Sequence, residues 1–380
     1  MAYKKVTRQS YGSRILNSIF GVLIGIVLII GMSILLFWNE GRYNPADLAV
    51  EAQELTSSST GLDGELIWHK CELTGGNMAL NDDAIIDSNY LYFSRKVEVY
   101  AWIETSESKS KDNLGGSQET ETTYSYALGW TTDPQDPSTF YAEEEQGKPK
   151  ASFGGLTAAE LKNSSITSED YNLDSDDLTI DGVKNLPLTA GVTVEESALN
   201  ENVVIYGNYI YYKAEDSTGP ATPSFNDRRV SYTYIPSGVS GVIVGKLSGD
   251  SIVKYTNEDA SLYRFFEADS IEEVVSILDK EHKTSAWLFR IIGTILMCVG
   301  FALITGPLST ILMVVPFLGK ASQFLLGIVS FLIGFVYSVL VIVISMIFHN
   351  IIALIIAIAI IVLLVLYGIK KKKKSAARAK

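Results

Sequence analysis

Residues 15–38 form a 24-residue run with no ionisable side chain. At about 1.5 Å of rise per residue, such a run in helical form crosses a hydrocarbon core of roughly 30 Å with some tilt. It exceeds the apolar core of a cleavable secretion signal, about 7–15 residues, and no small-x-small cleavage site stands beside Phe37-Trp38-Asn39-Glu40. The run reads as a retained membrane span, so the rest of the chain has to fold around a bilayer. Lys4, Lys5, Arg8 and Arg14 precede it with no acid among them. By the positive-inside rule, residues 1–14 are expected to be a cytosolic N-terminus.

Charge divides the rest of the chain. All 43 acidic residues lie between positions 40 and 281, whereas thirteen of the 31 basic residues lie outside 40–285. A polar, acidic segment, 39–285, is thus joined to apolar segments with cationic flanks. An acidic domain repels polyanions, so no nucleic-acid partner is expected. Cys71 and Cys298 fall in a polar and an apolar segment respectively, and they offer no disulfide framework.

Within 39–285 the dominant pattern has period two. Residues 65–73 read as a first strand, on which His69 and Cys71 share a face as ordinary strand residues. Val97, Val99, Ala101 and Ile103 alternate with polar or aromatic neighbours, and Tyr124, Tyr126, Leu128 and Trp130 share the face of a second strand. Together they predict a hairpin over 95–130 around a mobile polar loop, 106–120. Residues 203–206 and 209–213 flank Gly207-Asn208 as a tight hairpin. Residues 229–235 and 240–247 are expected to pair around Pro236-Ser237-Gly238. Ser270-Ile271-Glu272-Glu273 is a capping box opening an amphipathic helix at 271–281.

The remaining chain is apolar. Residues 286–305 are expected as a second span, opened by Trp287 and by Arg290, which snorkels or pairs within the protein. Gly306-Pro307 and Pro316 make 306–320 a re-entrant or interfacial segment. Residues 321–347 and 351–368 are expected as third and fourth spans, and the polybasic tail 369–380 as cytosolic. The fold class is then a membrane protein with four transmembrane α-helices, one N-terminal and three C-terminal, plus a large β-rich α+β extracytosolic domain. Gly21-x-x-x-Gly25, Ser330-x-x-x-Gly334 and Ala353-x-x-x-Ala357 allow close helix contact, inside one bundle or between copies.

Several stretches carry a family resemblance. They are Asn39-Glu40-Gly41-Arg42, Val97-Glu98-Val99-Tyr100-Ala101-Trp102-Ile103-Glu104-Thr105, Glu121-Thr122-Thr123-Tyr124-Ser125-Tyr126 ending in Trp130, and Arg229-Val230-Ser231-Tyr232-Thr233-Tyr234, followed by Trp287-x-x-Arg290 and Val315-Pro316-Phe317-Leu318-Gly319. In this order they resemble LUMA, the transmembrane protein 43 family. The resemblance implies one anchor, a large lumenal or periplasmic domain and a C-terminal bundle. It also implies an organising role, with lamin- and emerin-type partners if the source is eukaryotic. It implies no catalytic set and no cofactor. The membrane is then a prokaryotic plasma membrane, or the endoplasmic reticulum and inner nuclear membrane of a eukaryote.

Three functions compete. The first is a non-enzymatic membrane scaffold that assembles with itself or with other membrane proteins. Its candidate docking residues are Asn39, Glu40, Arg42, Trp102, Tyr124, Tyr126, Trp130, Arg290, Pro316 and Phe317, with Glu40 placed to pair with Arg290 or Arg42 with an acid across the interface. The second is a channel or transporter component, suggested by Arg290 and the broken segment 308–318. The third, an extracytosolic hydrolase, is disfavoured because no Gly-x-Ser-x-Gly elbow and no His-Glu-x-x-His motif is present.

Overall fold

The computed structural model describes residues 2–56, 59–168, 171–314 and 316–350, with 355, 358 and 359. The chain forms two compact units. One comprises the first five residues with Asn44–Ser108 and Glu121–Asp279; the other comprises Val6–Tyr43, Lys109–Thr120 and the chain from Lys280 onward.

The first unit is built on two β-sheets. In one, the strand order is 2–9, 118–131, 90–112, 228–236, 209–212 and 203–206. The alternation seen in the sequence buries Val97, Val99 and Ala101, the last two against Ala151. The small hairpin Val203–Tyr206 and Tyr209–Tyr212 closes through Gly207 at φ +59, the left-handed first position of a two-residue turn. The second sheet is organised by Leu66–Gly75 and Val239–Ser248, paired along most of their length. Strands 166–168, 171–173 and 251–253 link back between these two, so five strands close into a ring. Ile67, Leu73, Ile243, Ile252 and Phe265 fill its core with no exposed surface. Each large side chain so buried contributes about 1.5–3 kcal/mol.

Two expectations for this unit change. Residues 229–235 and 240–247 do not pair with each other. Arg228–Pro236 joins the first sheet opposite 90–99, and Val239–Ser248 joins the second. The turn between them is a corner, with Gly238 at φ +81 and its N–H donated to Leu73 O. The polar loop 106–120 is mostly strand, because Tyr90–Asp112 and Gln118–Thr131 leave only 113–117 between them. Hydroxyl pairs Ser108–Thr122 and Ser110–Thr120, each at 2.8 Å, hold that polar extension.

Of the helices, α1 is Tyr11–Glu40, α3 is Ile271–Leu312, which enters the second unit at Lys280, and α4 is Pro316–His349; α2, Pro45–Glu51, belongs to the β unit. Among the described residues three helices are long and apolar enough to cross a membrane, within α1, α3 and residues 322–349. The expected fourth span, 351–368, and the tail 369–380 lie outside the described residues, apart from 355, 358 and 359.

The amphipathic helix expected at 271–281 and the second span are one continuous helix. Ser270 Oγ accepts from Glu273 N, and Glu273 Oε2 accepts from Asp269 N, which caps its start. Within 306–320, the segment to Leu312 continues α3 and the residues from Pro316 open α4. Pro307 lies inside α3, where the Ser309 and Thr310 hydroxyls bond Gly306 O at 2.8 and 2.9 Å. Pro316 opens α4, a position at which its missing N–H costs nothing.

The small-residue spacings serve packing within the bundle. A Cβ on Gly25 would stand 2.6 Å from Gly300 O, and one on Gly334 would stand 2.7 Å from Cys298 Cα. Ala353 and Ala357 lie outside the described residues.

At the N-terminus, Ala2–Gln9 is a strand pairing with Gln118–Thr131. The physical reason is charge. Lys4 pairs with Glu121 at 2.8 Å, Lys5 lies 5.2 Å over the Tyr141 ring, Arg8 pairs with Glu119 at 2.9 Å, and Arg14 pairs with Asp112 at 2.9 Å. Each of the four cations that suggested a cytosolic flank has a partner outside the N-terminal segment.

Candidate functional site

The candidate residues fall into two groups, one in each unit. In the helical unit, Asn39-Glu40-Gly41-Arg42 ends α1, and each of the four has a different task. Glu40 is 4 % exposed at its side chain and accepts from Arg290 Nε at 2.7 Å and Nη2 at 2.6 Å. This two-point fork is the strongest geometry open to a carboxylate and an arginine. It joins α1 to α3 inside the bundle. Asn39 is 2 % exposed and donates to Ala286 O at 3.2 Å and Glu40 Oε1 at 3.3 Å.

Gly41 sits where a Cβ would collide with the His349 ring. That ring also packs 4.7 Å from Phe37, and Ser345 Oγ donates to Phe37 O at 2.9 Å, so α4 braces the same helix end. The Arg42 guanidinium lies 5.5 Å from the Trp38 ring and 5.1 Å from the Phe289 ring. Its Nε and Nη2 are buried without a hydrogen-bond partner. Arg42 therefore meets two aromatic rings where an acid was expected.

The other end of this unit holds a site that residue patterns did not single out. Arg14 is 8 % exposed, and beyond its pair with Asp112 it donates to Gly116 O at 2.8 Å. Gly115 N donates to Val314 O at 3.1 Å, and Gly116 at φ +80 leaves no room for a Cβ beside the Tyr11 ring. The hairpin turn 113–117 is thus seated on the start of α1 and the residues just past α3. Nothing in the apolar pattern points there, because the partner of Arg14 lies in a polar turn. Pro316 and Phe317 are the first residues of α4, and the surroundings of their side chains lie outside what the structure describes.

In the β unit, the candidate aromatics meet other residues of the same unit. Tyr124 stacks on Tyr141 with centroids 4.1 Å apart, Tyr126 packs on Phe140 at 5.2 Å, and Lys148 Nζ lies 3.0 Å over Trp102. Tyr126 O–H donates to Glu104 at 2.6 Å; burial and then this bond push its phenol up to about 12. Trp130 lies 5.1 Å from Tyr100 and carries Arg229 4.4 Å above its ring.

Arg229 stands opposite Glu98 in the strand register and donates to it at 2.8 Å. Burial raises the Glu98 carboxyl, but the bond and charge of Arg229, aided by Lys96, outweigh it and hold the group below the usual carboxylate range. Asp227, wholly buried, accepts from Ala214 N, Ser217 Oγ and Ser224 N at 2.7 Å each and from Tyr211 O–H. Such a saturated carboxylate organises a loop. His69 Nδ1 contacts Leu55 O at 2.8 Å, and Cys71 on the same strand is buried.

The family model described as "Transmembrane protein 43" matches residues 99–351. Among curated proteins, the chain is 24% identical to human transmembrane protein 43 over 329 residues, covering 81% of this chain and 79% of that one. It is 24% identical to the rat protein over 315 residues, with 77% and 75% covered. To the transmembrane protein 43 homolog of Drosophila melanogaster it is 23% identical over 312 residues, with 78% and 79% covered. No solved structure matches.

Proposed function

The chain belongs to the transmembrane protein 43 family of membrane proteins, and from that premise we propose that it is a non-enzymatic membrane organiser. In this reading a stapled helix bundle and a β-rich domain each present a fixed surface to a second copy or to other membrane proteins. One observation carries it: apart from Arg42, the charged groups singled out in the candidate sites are consumed in internal pairs. Glu40 holds Arg290, Arg14 holds Asp112, Glu98 holds Arg229, and Asp227 accepts four donors. Pairs of this kind fix a shape, whereas acid–base or nucleophilic chemistry needs a group left available at the reacting atom. Crosslinking with mass spectrometry in native membranes tests the proposal. A recurrent membrane-protein neighbour, or a second copy, is expected. Recovery of isolated monomers alone would contradict it.

A polar cavity favours a second reading, a component of a channel or transporter. Its volume is about 400 Å³ and it lies between α1, α3 and α4, with Asn17, Thr305, Ser309, Thr310 and Gln323 among its lining residues. Its lining has hydroxyls and amides but no charge, a poor match to an ion pathway. Solute or ion flux into liposomes that depends on Asn17 and Gln323 would replace the organiser reading with this one.

A further inference from the structure

We propose that Arg42 is the receptor for a phosphate group of a membrane lipid at the Trp38–Phe289 edge of the helical unit. The proposal is independent of the organiser reading. Its starting point is a contrast between two arginines. Arg290 presents the Nε–Nη2 edge of its guanidinium to both oxygens of Glu40. Arg42 has the same two atoms, Nε and Nη2, buried and without a hydrogen-bond partner. That edge is the one whose parallel N–H groups match two oxygens of a carboxylate or phosphate.

The acid nearest to it in sequence is already taken. Glu40, two residues away, has both oxygens on Arg290 and accepts from Asn39 besides. The aromatic rings offset part of the charge. They leave the two buried donors unbonded, an unfavourable state that a bound anion would relieve.

Position selects the ligand. Arg42 lies one turn beyond Trp38, which closes the uncharged run that began at residue 15. Trp38 and Trp287 are 54 % and 61 % exposed, as tryptophans of an interfacial belt are. Arg42 is therefore at headgroup depth, where phosphodiesters are the abundant anions. Trp38 is 54 % exposed and lies 5.5 Å from the guanidinium, so in this proposal outward rotation of its side chain admits the phosphate, with Phe289 of α3 as the other ring contact.

The test uses the full-length protein in detergent micelles, with native mass spectrometry and thermal unfolding as readouts. The probes are dioleoylphosphatidylglycerol, dioleoylglycerol, which has the same chains and no phosphate, and inorganic phosphate. The wild type is expected to retain the phospholipid at least about tenfold more tightly than the diacylglycerol. Arg42→Gln and Arg42→Lys are both expected to lose that preference, since lysine supplies charge without the fork. Unchanged preference in Arg42→Gln overturns the site. Full retention by Arg42→Lys overturns the two-point geometry, and this variant keeps the charge should the glutamine variant fold poorly. If inorganic phosphate alone raises the unfolding temperature in an Arg42-dependent way and the phospholipid does not, the ligand is a soluble phosphate and the lipid assignment is overturned.

Discussion

At its C-terminal end α1 meets α3 through Glu40 and Arg290; at its N-terminal end it meets the hairpin turn through Arg14 and Asp112. Both contacts are buried arginine–carboxylate pairs, yet they join different things. The first ties one apolar helix to another. The second ties an apolar helix to the most polar stretch of the β-hairpin, at residues 109–120, and it has the N-terminal strand beside it. Helix ends that look alike as membrane flanks can therefore differ in what they hold: one closes the bundle, and the other recruits a segment more than 90 residues away in the chain.

The comparison can be broken first at the Glu40 end. Arg290→Ala leaves a carboxylate that is 4 % exposed with its main partner removed, and loss of one member of a buried pair costs about 3–5 kcal/mol. Thermal unfolding of the full chain in detergent should fall accordingly, and Glu40→Leu with Arg290→Leu should recover most of the loss. If the double variant is as weak as the single, the pair is not what joins the two helices.

Asp112→Asn should cost less, about 2 kcal/mol, because Arg14 keeps its bond to Gly116 O. The damage should be local. Hydrogen exchange over 113–117 should quicken while the α3–α4 contact stays protected, and uniform loosening of all three helices would erase the distinction between the two ends. Gly41→Ala should cost on the order of 1–3 kcal/mol by pushing the His349 ring off the end of α1. Unfolding of the variant with and without His349→Ala checks whether removing the ring relieves the clash.

These differences track what a sequence can carry. The β-rich domain, the 95–130 hairpin, the Gly207 turn and three apolar helices were legible because each rests on a local period or a local turn residue. Glu40 and Arg290 were legible as a pair because both flank apolar runs at the same depth. The features that were not legible are non-local or masked by polarity. The strand character of 106–112 escaped because its alternating residues are serine, lysine and glutamate, which carry no hydrophobic period. The corner at Gly238 escaped because sheet membership of the strands on either side depends on Leu66–Gly75 and Tyr90–Asp112, far away in sequence. Lys4, Lys5, Arg8 and Arg14 satisfied a rule about orientation, and their acidic and aromatic partners lie at 112–141. Arg42, for which an acid was sought, is held by rings.

A smaller effect sharpens the N-terminal side. Tyr3 O–H donates to Glu144 at 2.6 Å, and that bond, with burial and the charges of Glu144 and Glu145, pushes its phenol up to about 12. A raised folded value means that the contact favours the docked strand fully below the ordinary tyrosine range near 10. The contribution is lost as pH rises through about 12. Tyr126 ionises late as well, so ultraviolet titration of Tyr3→Phe should show one late-ionising tyrosine fewer than the wild type; an unchanged late phase would place Tyr3 away from Glu144.

The central feature of the N-terminal segment is its strand, Ala2–Gln9, paired with Gln118–Thr131. Lys4 Nζ and Glu121 Oε1 are 2.8 Å apart, with side chains 60 % and 43 % exposed, which suits a zero-length carbodiimide crosslinker. Treatment of the full-length protein in its membrane, followed by peptide mass spectrometry, should give an amide joining Lys4 to Glu121. Absence of that link, with Lys4 reacting only with reagents applied to the face opposite the β-domain, would contradict this placement of the strand.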